Sequence, residues 1–308
     1  MMKLLYKKIR FTLSLREKVN FTVPPAFILR SIIGSQLRAM CCVAHNVLCG
    51  ECMFHGTCVY GVVFESIVPK DNEVLAGRDR ISHPVILDIA SFSEDCTDSL
   101  TINLIFLGPA IPYLPYFYGA LKSGGEAGLL KERIPYTLTG VFDKDDSLLI
   151  NGDTIHTQTE PDVWVYDYEY HDTIHKDIMI QLDAPLRFKA NGHYTHRFNP
   201  EQFMFCLHRR LQTLCSQYGG NDSKGEYGFS HSWGISVRSL AWKDYTHYSA
   251  RQKKGMRLGG VTGSFVVSGD FTAYEYACLK FAEIFHAGKN TNFGLGKLTL
   301  WEKPGKVW

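Results

Sequence analysis

The sequence lacks a segment that would carry the chain to or across a membrane. Its start, Met1 to Arg10, holds basic residues but no apolar stretch long enough for a signal peptide, so export is not expected. The charge-free run from Ser99 to Leu121 is long enough to span a bilayer, yet Gly108-Pro109, Pro112 and Pro115 interrupt it. Strand, turn and helix fit that run better, and no membrane partner is expected. A disulfide framework is missing as well. Nine cysteines are an odd number, and five of them fall between Cys41 and Cys58, which indicates a reducing compartment, the cytoplasm. Net charge is nearly absent: +2 over 308 residues gives no whole-protein polyanion signature. Lysine and arginine do outnumber aspartate and glutamate from Arg238 onward, so a polyanion site would be local. Clustered carboxylates of the two-metal nuclease kind are absent. So is a P-loop, since Gly288-Lys289 is followed by Asn290 and no glycine stands five residues before Gly288.

What is present is a Gly- and Lys-containing stretch, His286 to Lys297, between an amphipathic helix (Phe271, Tyr274, Cys278, Phe281, Phe285) and the alternating strand Leu298 to Trp301. The pattern before it reads strand (Ile178 to Phe188), helix, strand (Trp233 to Trp242), strand (Leu258 to Val267), then this helix and strand. Asn199-Pro200-Glu201-Gln202 supplies an N-cap, a first-turn proline and a capping-box Gln, opening a helix that stops at Gly219-Gly220. That order is a split βαβ, ferredoxin-like unit. The N-terminal half reads similarly: strand Leu4 to Leu15, helix Pro25 to Cys42, strands Val59 to Glu65, Pro84 to Ala90 and Leu100 to Leu107. Helix Ile111 to Leu121, a glycine segment at Gly124-Gly125 and Gly128, and strand Ile134 to Phe142 complete it. It carries one strand too many. The expected fold is α+β, two tandem ferredoxin-like domains over residues 1–160 and 161–308, with the boundary in the polar stretch Asn151 to Lys176.

Cys42, Cys49, Cys52 and Cys58, with Cys41 as a substitute for Cys42, form a Cys-x6-Cys-x2-Cys-x5-Cys series. Four thiolates from one short segment suit a tetrahedral structural zinc, with iron–sulfur as the other metal reading and unrelated thiols as the non-metal one. His45 and His55 are reserve ligands. Such a site staples a loop, because a full thiolate set leaves no open coordination position. His171-x3-His175 is a second, weaker pairing, since its surroundings read as strand or loop.

These pieces resemble the CRISPR-associated precursor-crRNA endoribonucleases of the RAMP superfamily, the sixth CRISPR-associated family, and within it the branch with a cysteine-rich insertion. The matching stretches are Ile33-Gly34 through Cys41, Cys49-Gly-Glu-Cys52, Cys58 through Ser66, and His208-Arg209-Arg210-Leu211. Trp242 through Gln252, Leu258 through Gly263, and the glycine stretch His286 to Gly296 follow in the same order. The resemblance implies metal-independent cleavage of a CRISPR repeat by the 2′-hydroxyl, leaving a 2′,3′-cyclic phosphate and a 5′-hydroxyl. Its expected partners are repeat RNA, precursor crRNA and CRISPR effector-complex subunits, with homodimerisation open. The alternative is a non-catalytic RAMP subunit that holds crRNA, and a third reading is a zinc-stapled assembly domain.

A base, an acid and cations are required for that chemistry. His286 is the first candidate for proton transfer, against a reading as a helix-terminal cap. Lys289 would stabilise phosphate charge, and Gly288, Gly294, Gly296 and Lys297 would contact the RNA backbone. Tyr248, Arg251, Gln252, Lys253 and Lys254 form an aromatic-basic segment suited to stacking and phosphate contacts. The family commonly has Arg where this chain has His247. In other branches the catalytic histidine lies in or after the first helix, the region of His45 and His55.

Overall fold

The computed structural model describes residues 1–66, 81–89, 96–152, 154–157, 160–167, 172–220, 228–249 and 254–302, without the side chains of 247–249 and 254. The first half contains β1 (Met2–Val19), α1 (Pro25–Cys41), α2 (Val59–Phe64), β2 (Val85–Ile89), β3 (Thr97–Leu107), α3 (Leu114–Ala127) and β4 (Tyr136–Phe142). Short strands β5 (Ile150–Asn151), β6 (Thr154–Ile155) and β7 (Asp162–Tyr166) follow. The second half contains β8 (Thr173–Leu186), β9 (Lys189–Ala190), β10 (His193–Tyr194) and α4 (Pro200–Tyr218). It closes with β11 (Trp233–Ser249), β12 (Lys254–Thr272), α5 (Ala273–Phe285) and β13 (Leu298–Glu302).

The two main sheets have one topology. The first runs β2-β3-β1-β4, with β7 also paired to β1, and the second β11-β12-β8-β13; the four main strands follow the order second, third, first, fourth in both. With a helix after the first and third strand of each set, this is the ferredoxin-like arrangement, made twice. The registers of β1 with β3 and β4, and of β8 with β12 and β13, are antiparallel. Within β1 the residues Ile9, Phe11, Leu13 and Leu15 alternate into the core. By clustering of its contacts the chain forms two compact units: Leu5–Val163 with Ser249–Gln252, and Met1–Leu4, Trp164–Tyr248 and Lys253–Trp308.

One expected element changes type. Val59 to Phe64 is helix α2, not a strand. Its β-branched composition favours a strand only where a sheet edge is available; here the segment packs on α1, with the Phe64 ring 3.3 Å from the position a Cβ would take on Gly34. Arg30 lies over the Phe64 ring and Arg38 over Tyr60, at 5.1 and 5.9 Å. The supernumerary strand of the first half therefore disappears. Gly124 and Gly125 are also helical, inside α3, and glycine is required at 125 by packing: a Cβ there would meet the Tyr136 carbonyl at 2.3 Å. Among the described residues no helix is long and apolar enough to cross a membrane.

In the second half both helices begin in full capping boxes, Asn199 with Gln202 and Thr272 with Glu275. Between these helices His208 is 7% exposed and bonds through Nδ1 to the Tyr274 hydroxyl at 2.7 Å. Burial, and then the charge of Arg209, lower its pKa to about 4. The folded state thus refuses a proton that the unfolded chain accepts below about pH 6.5. Stability from this source is complete above that pH and is lost progressively down to about pH 4. Thermal melts across that window should show a smaller acid-induced fall in Tm for His208→Gln than for the wild type; parallel profiles would contradict this account.

Candidate functional site

The glycine stretch is shaped by left-handed backbone. His286, Gly288, Asn290, Gly294 and Gly296 all have φ between 60° and 80°, which glycine adopts without strain; Asn290 sits in the αL well that asparagine tolerates, whereas His286, with ψ 160°, is strained. At Gly296 the need is steric as well: a Cβ there would lie 1.8 Å from the Ala287 carbonyl oxygen. The Ala287 N–H donates to the Gly296 carbonyl at 2.8 Å, closing the stretch into a compact loop.

Two neighbours hold this loop. The end of β8 supplies carbonyls: Pro185 accepts from the Gly296 N–H at 3.0 Å, and Arg187 from the Lys289 N–H at 2.7 Å. Helix α4 supplies Arg210, 6% exposed. Its Nε donates to the carbonyls of Phe285 and His286, each at 3.3 Å, and its Nη2 to the Phe285 carbonyl at 3.0 Å and Thr291 Oγ1 at 2.8 Å. Burial lowers the Arg210 pKa to about 10, which still leaves it cationic at neutrality. Cys206, one turn earlier on α4, takes a backbone hydrogen bond from Gly288, while burial pushes its thiol up to about 12.

His286 is the C-cap of α5, and its ring is only 1% exposed, with Nδ1 3.2 Å from the Leu295 carbonyl oxygen. The ring faces the loop interior. The amides of Gly294 and Gly296 donate inward, to Thr291 and Pro185, and that of Gly288 goes to Cys206. Lys289 is exposed and Lys297 half-buried. Of the aromatic-basic segment, Arg251, Gln252 and Lys253 lie outside the described residues; Tyr248 and Lys254 are in β11 and β12, with side chains not described.

In the other unit His45 is exposed in the turn after α1. Cys41, Cys42, Cys49, Cys52, Cys58 and His55 line one cavity between the end of α1 and the start of α2. Gly61 lets the loop approach α2, since a Cβ there would be 2.6 Å from the His55 carbonyl oxygen. His55 Nδ1 bonds the Cys49 carbonyl at 2.7 Å, which places a proton on Nδ1 and leaves the Nε2 lone pair available. Burial raises the Cys41 and Cys49 pKa values; Cys58 and Cys42 raise the first further, while for the second Glu65 raises it, Arg38 lowers it, and Cys42 and Cys58 raise it. Among the described residues no three such donors converge as a ready coordination set. The donor chemistry fits a thiophilic metal, and the sulfurs are close enough to raise one another's pKa. His171 lies outside the described residues, and His175 sits in β8, paired with Asp270 at 2.7 Å.

Arg210 is the functional side chain that spacing alone did not single out. It stands seven residues after Phe203 and three after Leu207, both in the buried stripe of α4; an arginine in such a stripe is the available signal.

Two family models match the chain. Residues 4–163 match AF_1859_N, an N-terminal domain, and residues 180–298 match CRISPR-associated endoribonuclease Cas6. A Cas6 product complex is similar at 16% identity, with 96% of this chain and 100% of that one covered and a TM-score of 0.53. Thermus thermophilus Cas6 is similar at 14% identity, with coverages of 97% and 99% and a TM-score of 0.53. A partial Cas6-RT-Cas1–Cas2 complex is similar at 14% identity over 99% of this chain and 47% of that one, with a TM-score of 0.52. At these identities the structures show the fold. No curated protein matches the chain.

Replacing Arg210 with Met should leave the carbonyls of Phe285 and His286 without their buried donor, at a cost on the order of 3 kcal/mol. For a domain of this size that lowers Tm by roughly 5 to 10 °C, with new proteolytic cleavage in the loop. Arg210→Lys should recover only part, lacking the forked geometry. A Met variant that melts with the wild type would show that the loop does not depend on this contact.

Proposed function

The chain belongs to the CRISPR-associated endoribonuclease family Cas6, with the AF_1859_N domain in its N-terminal half, and from that membership we propose its reaction. Precursor crRNA is cut within the CRISPR repeat. A 2′-hydroxyl gives up its proton to a base and its oxygen bonds to the adjacent phosphorus; the bond from phosphorus to the 5′ oxygen breaks, and an acid protonates that oxygen. The products are a 2′,3′-cyclic phosphate and a 5′-hydroxyl. Histidine and lysine can supply every role at neutral pH, so the reaction as written needs no metal ion.

Exposure supports the assignment of roles. His45 is exposed in the turn after α1, whereas the His286 ring is 1% exposed and bonded within its loop. We therefore assign proton transfer to His45 and loop closure to His286. Lys289, exposed on the loop, meets RNA phosphate, with Lys297 as a nearby second cation. Gly288, Gly294 and Gly296 give the loop its shape, their amides being directed inward. The observation that carries most weight is the doubled ferredoxin-like topology ending in this anchored, lysine-bearing loop, within a chain of the Cas6 family.

We further propose a structural metal at the cysteine cavity, supported by the chemistry of its donors, although among the described residues no three of them are arranged as a coordination set. Cys42, Cys49, Cys52 and Cys58 would hold a zinc ion, with Cys41 and His55 adjoining. Bound there, zinc would neutralise the thiolates and staple the loop between α1 and α2.

Single-turnover assays on a labelled repeat RNA from the source organism's own array, in EDTA, should yield the cyclic-phosphate product. His45→Ala should lower that rate by about two orders or more, the usual range for acid–base groups, with little change in RNA affinity. His286→Ala should act mainly on Tm. Tight binding with no cleavage product would instead make the chain a non-catalytic crRNA holder. Elemental analysis should find about one zinc per chain, lost in Cys49→Ser with Cys52→Ser together with solubility. Metal-free, fully soluble protein would reject the zinc site.

A further inference from the structure

A cationic aromatic cluster lies beside the glycine loop and is not used by the reaction above. It is built on the β9–β10 hairpin. Asn191 and Gly192 have φ of 51° and 82°, the pair of left-handed residues that makes a tight two-residue hairpin turn. Ala190 pairs with His193, and Lys189 with Tyr194. Tyr194 is thereby fixed across from Lys189, yet its side chain is 42% exposed.

The surroundings of that ring are ordered. The Arg187 guanidinium lies 4.0 Å from the Tyr194 ring centroid and Lys189 Nζ 5.3 Å from it. Arg187 is itself held by a 2.8 Å bond from Nη1 to the Gly259 carbonyl. The Trp242 ring on β11 stands 6.4 Å from Tyr194, tilted by 47°. Past the hairpin, Phe198 packs on Phe188, Phe203 and Phe265 at 5.2, 5.8 and 5.5 Å, which roots the hairpin in the core. From Arg187 to Asn199 the chain carries Arg187, Lys189 and Arg197 and no aspartate or glutamate.

An exposed tyrosine stacked on the Arg187 guanidinium, with Lys189 and a tryptophan nearby, offers its remaining face to a flat partner and positive charge to that partner's phosphate. The cluster is also tied to the loop, because the carbonyl of Arg187 accepts the Lys289 N–H at 2.7 Å. A strand whose phosphate meets Lys289 would bring a neighbouring base to Tyr194. Resting on the RNA-processing reading, we infer that Tyr194 and Trp242, with Arg187 and Lys189, form a base-stacking subsite for an unpaired nucleotide that flanks the phosphate at the glycine loop. The shape fits a single-stranded segment: a paired base inside a helix has no free face to offer.

Anisotropy titrations of wild type, Tyr194→Ala, Tyr194→Phe and Trp242→Ala with a labelled repeat RNA test this, using the intact RNA and a series with one abasic nucleotide moved along it. Tyr194→Ala and Trp242→Ala should each weaken binding by about ten-fold, within the range for loss of one stacked base, and Tyr194→Phe should bind like the wild type. One abasic position should weaken wild-type binding by a similar factor and leave Tyr194→Ala unaffected, since the base and the ring report the same contact. Binding by Tyr194→Ala within about two-fold of wild type, or an abasic penalty that persists in that variant, overturns the subsite while leaving the processing reading intact. Folded wild-type protein that does not bind the repeat overturns both.

Discussion

The glycine loop depends on one buried cation. Removing a guanidinium from water costs several kcal/mol unless its donors are all met by dipoles. Arg210 meets much of that demand through Nε and Nη2, with the Phe285 and His286 carbonyls and the Thr291 hydroxyl. Those carbonyls are orphans of another kind, the unsatisfied acceptors at the C-terminus of α5, where a positive charge is favoured by the helix dipole. Each side solves the other's problem. Because Arg210 belongs to α4 and the carbonyls to α5 and its loop, the two helices cannot slide or the loop reorient without exposing both costs. The left-handed His286, whose backbone carries some strain, is held by the same contacts.

This anchoring decides what the loop can offer an anion. A glycine-rich turn invites comparison with phosphate cradles whose amides point outward. Here the glycine amides point inward, to Cys206, Thr291 and Pro185. Glycine serves the backbone path, as the 1.8 Å approach at Gly296 requires. If RNA binds here as proposed, attraction for phosphate would fall to side chains, above all Lys289. A loop built in this way would read charge and position but not sequence. Discrimination among RNAs would then come from neighbouring surfaces.

Much of the fold was legible because it rests on local rules. The capping boxes at Asn199 and Thr272, the proline in the first turn of α4 and the alternation along β1 are chemistry of near neighbours. The matching strand order of the halves followed once Val59 to Phe64 was seen to be helical, and that segment misled because its composition suits either state. Only Gly34, Arg30 and Arg38 on α1 decide it, and they are distant in sequence. The site was legible in outline alone. Spacing placed His286 next to the loop but could not give the direction of its ring. The Asn191-Gly192 turn was a readable hairpin signal that the flanking strands, two residues each, were too short to reinforce.

The cysteine cavity follows a different logic from the loop. At the loop, one permanent charge is satisfied by neutral dipoles of the chain. In the cavity several sulfurs and a histidine gather with no cation of the chain among the lining residues, and the two thiols whose pKa values shift are both raised. Ionising four of them together would gather like charges in one cavity, which Arg38, whose charge lowers the Cys49 pKa, offsets only in part. Either the thiols stay protonated and the segment is held by its turn hydrogen bonds, the His55–Cys49 contact and the Cys58 thiol donating to the Cys41 carbonyl, or a divalent ion supplies further positive charge. The short α2, six residues long, has little helical stability of its own. With Cys58 as its N-cap, a bound ion would fix the start of that helix directly. The same stroke would fix the turn that carries His45. In each unit, placement of the side chain proposed to act on the RNA, His45 in one and Lys289 in the other, would then rest on a charge buried behind it.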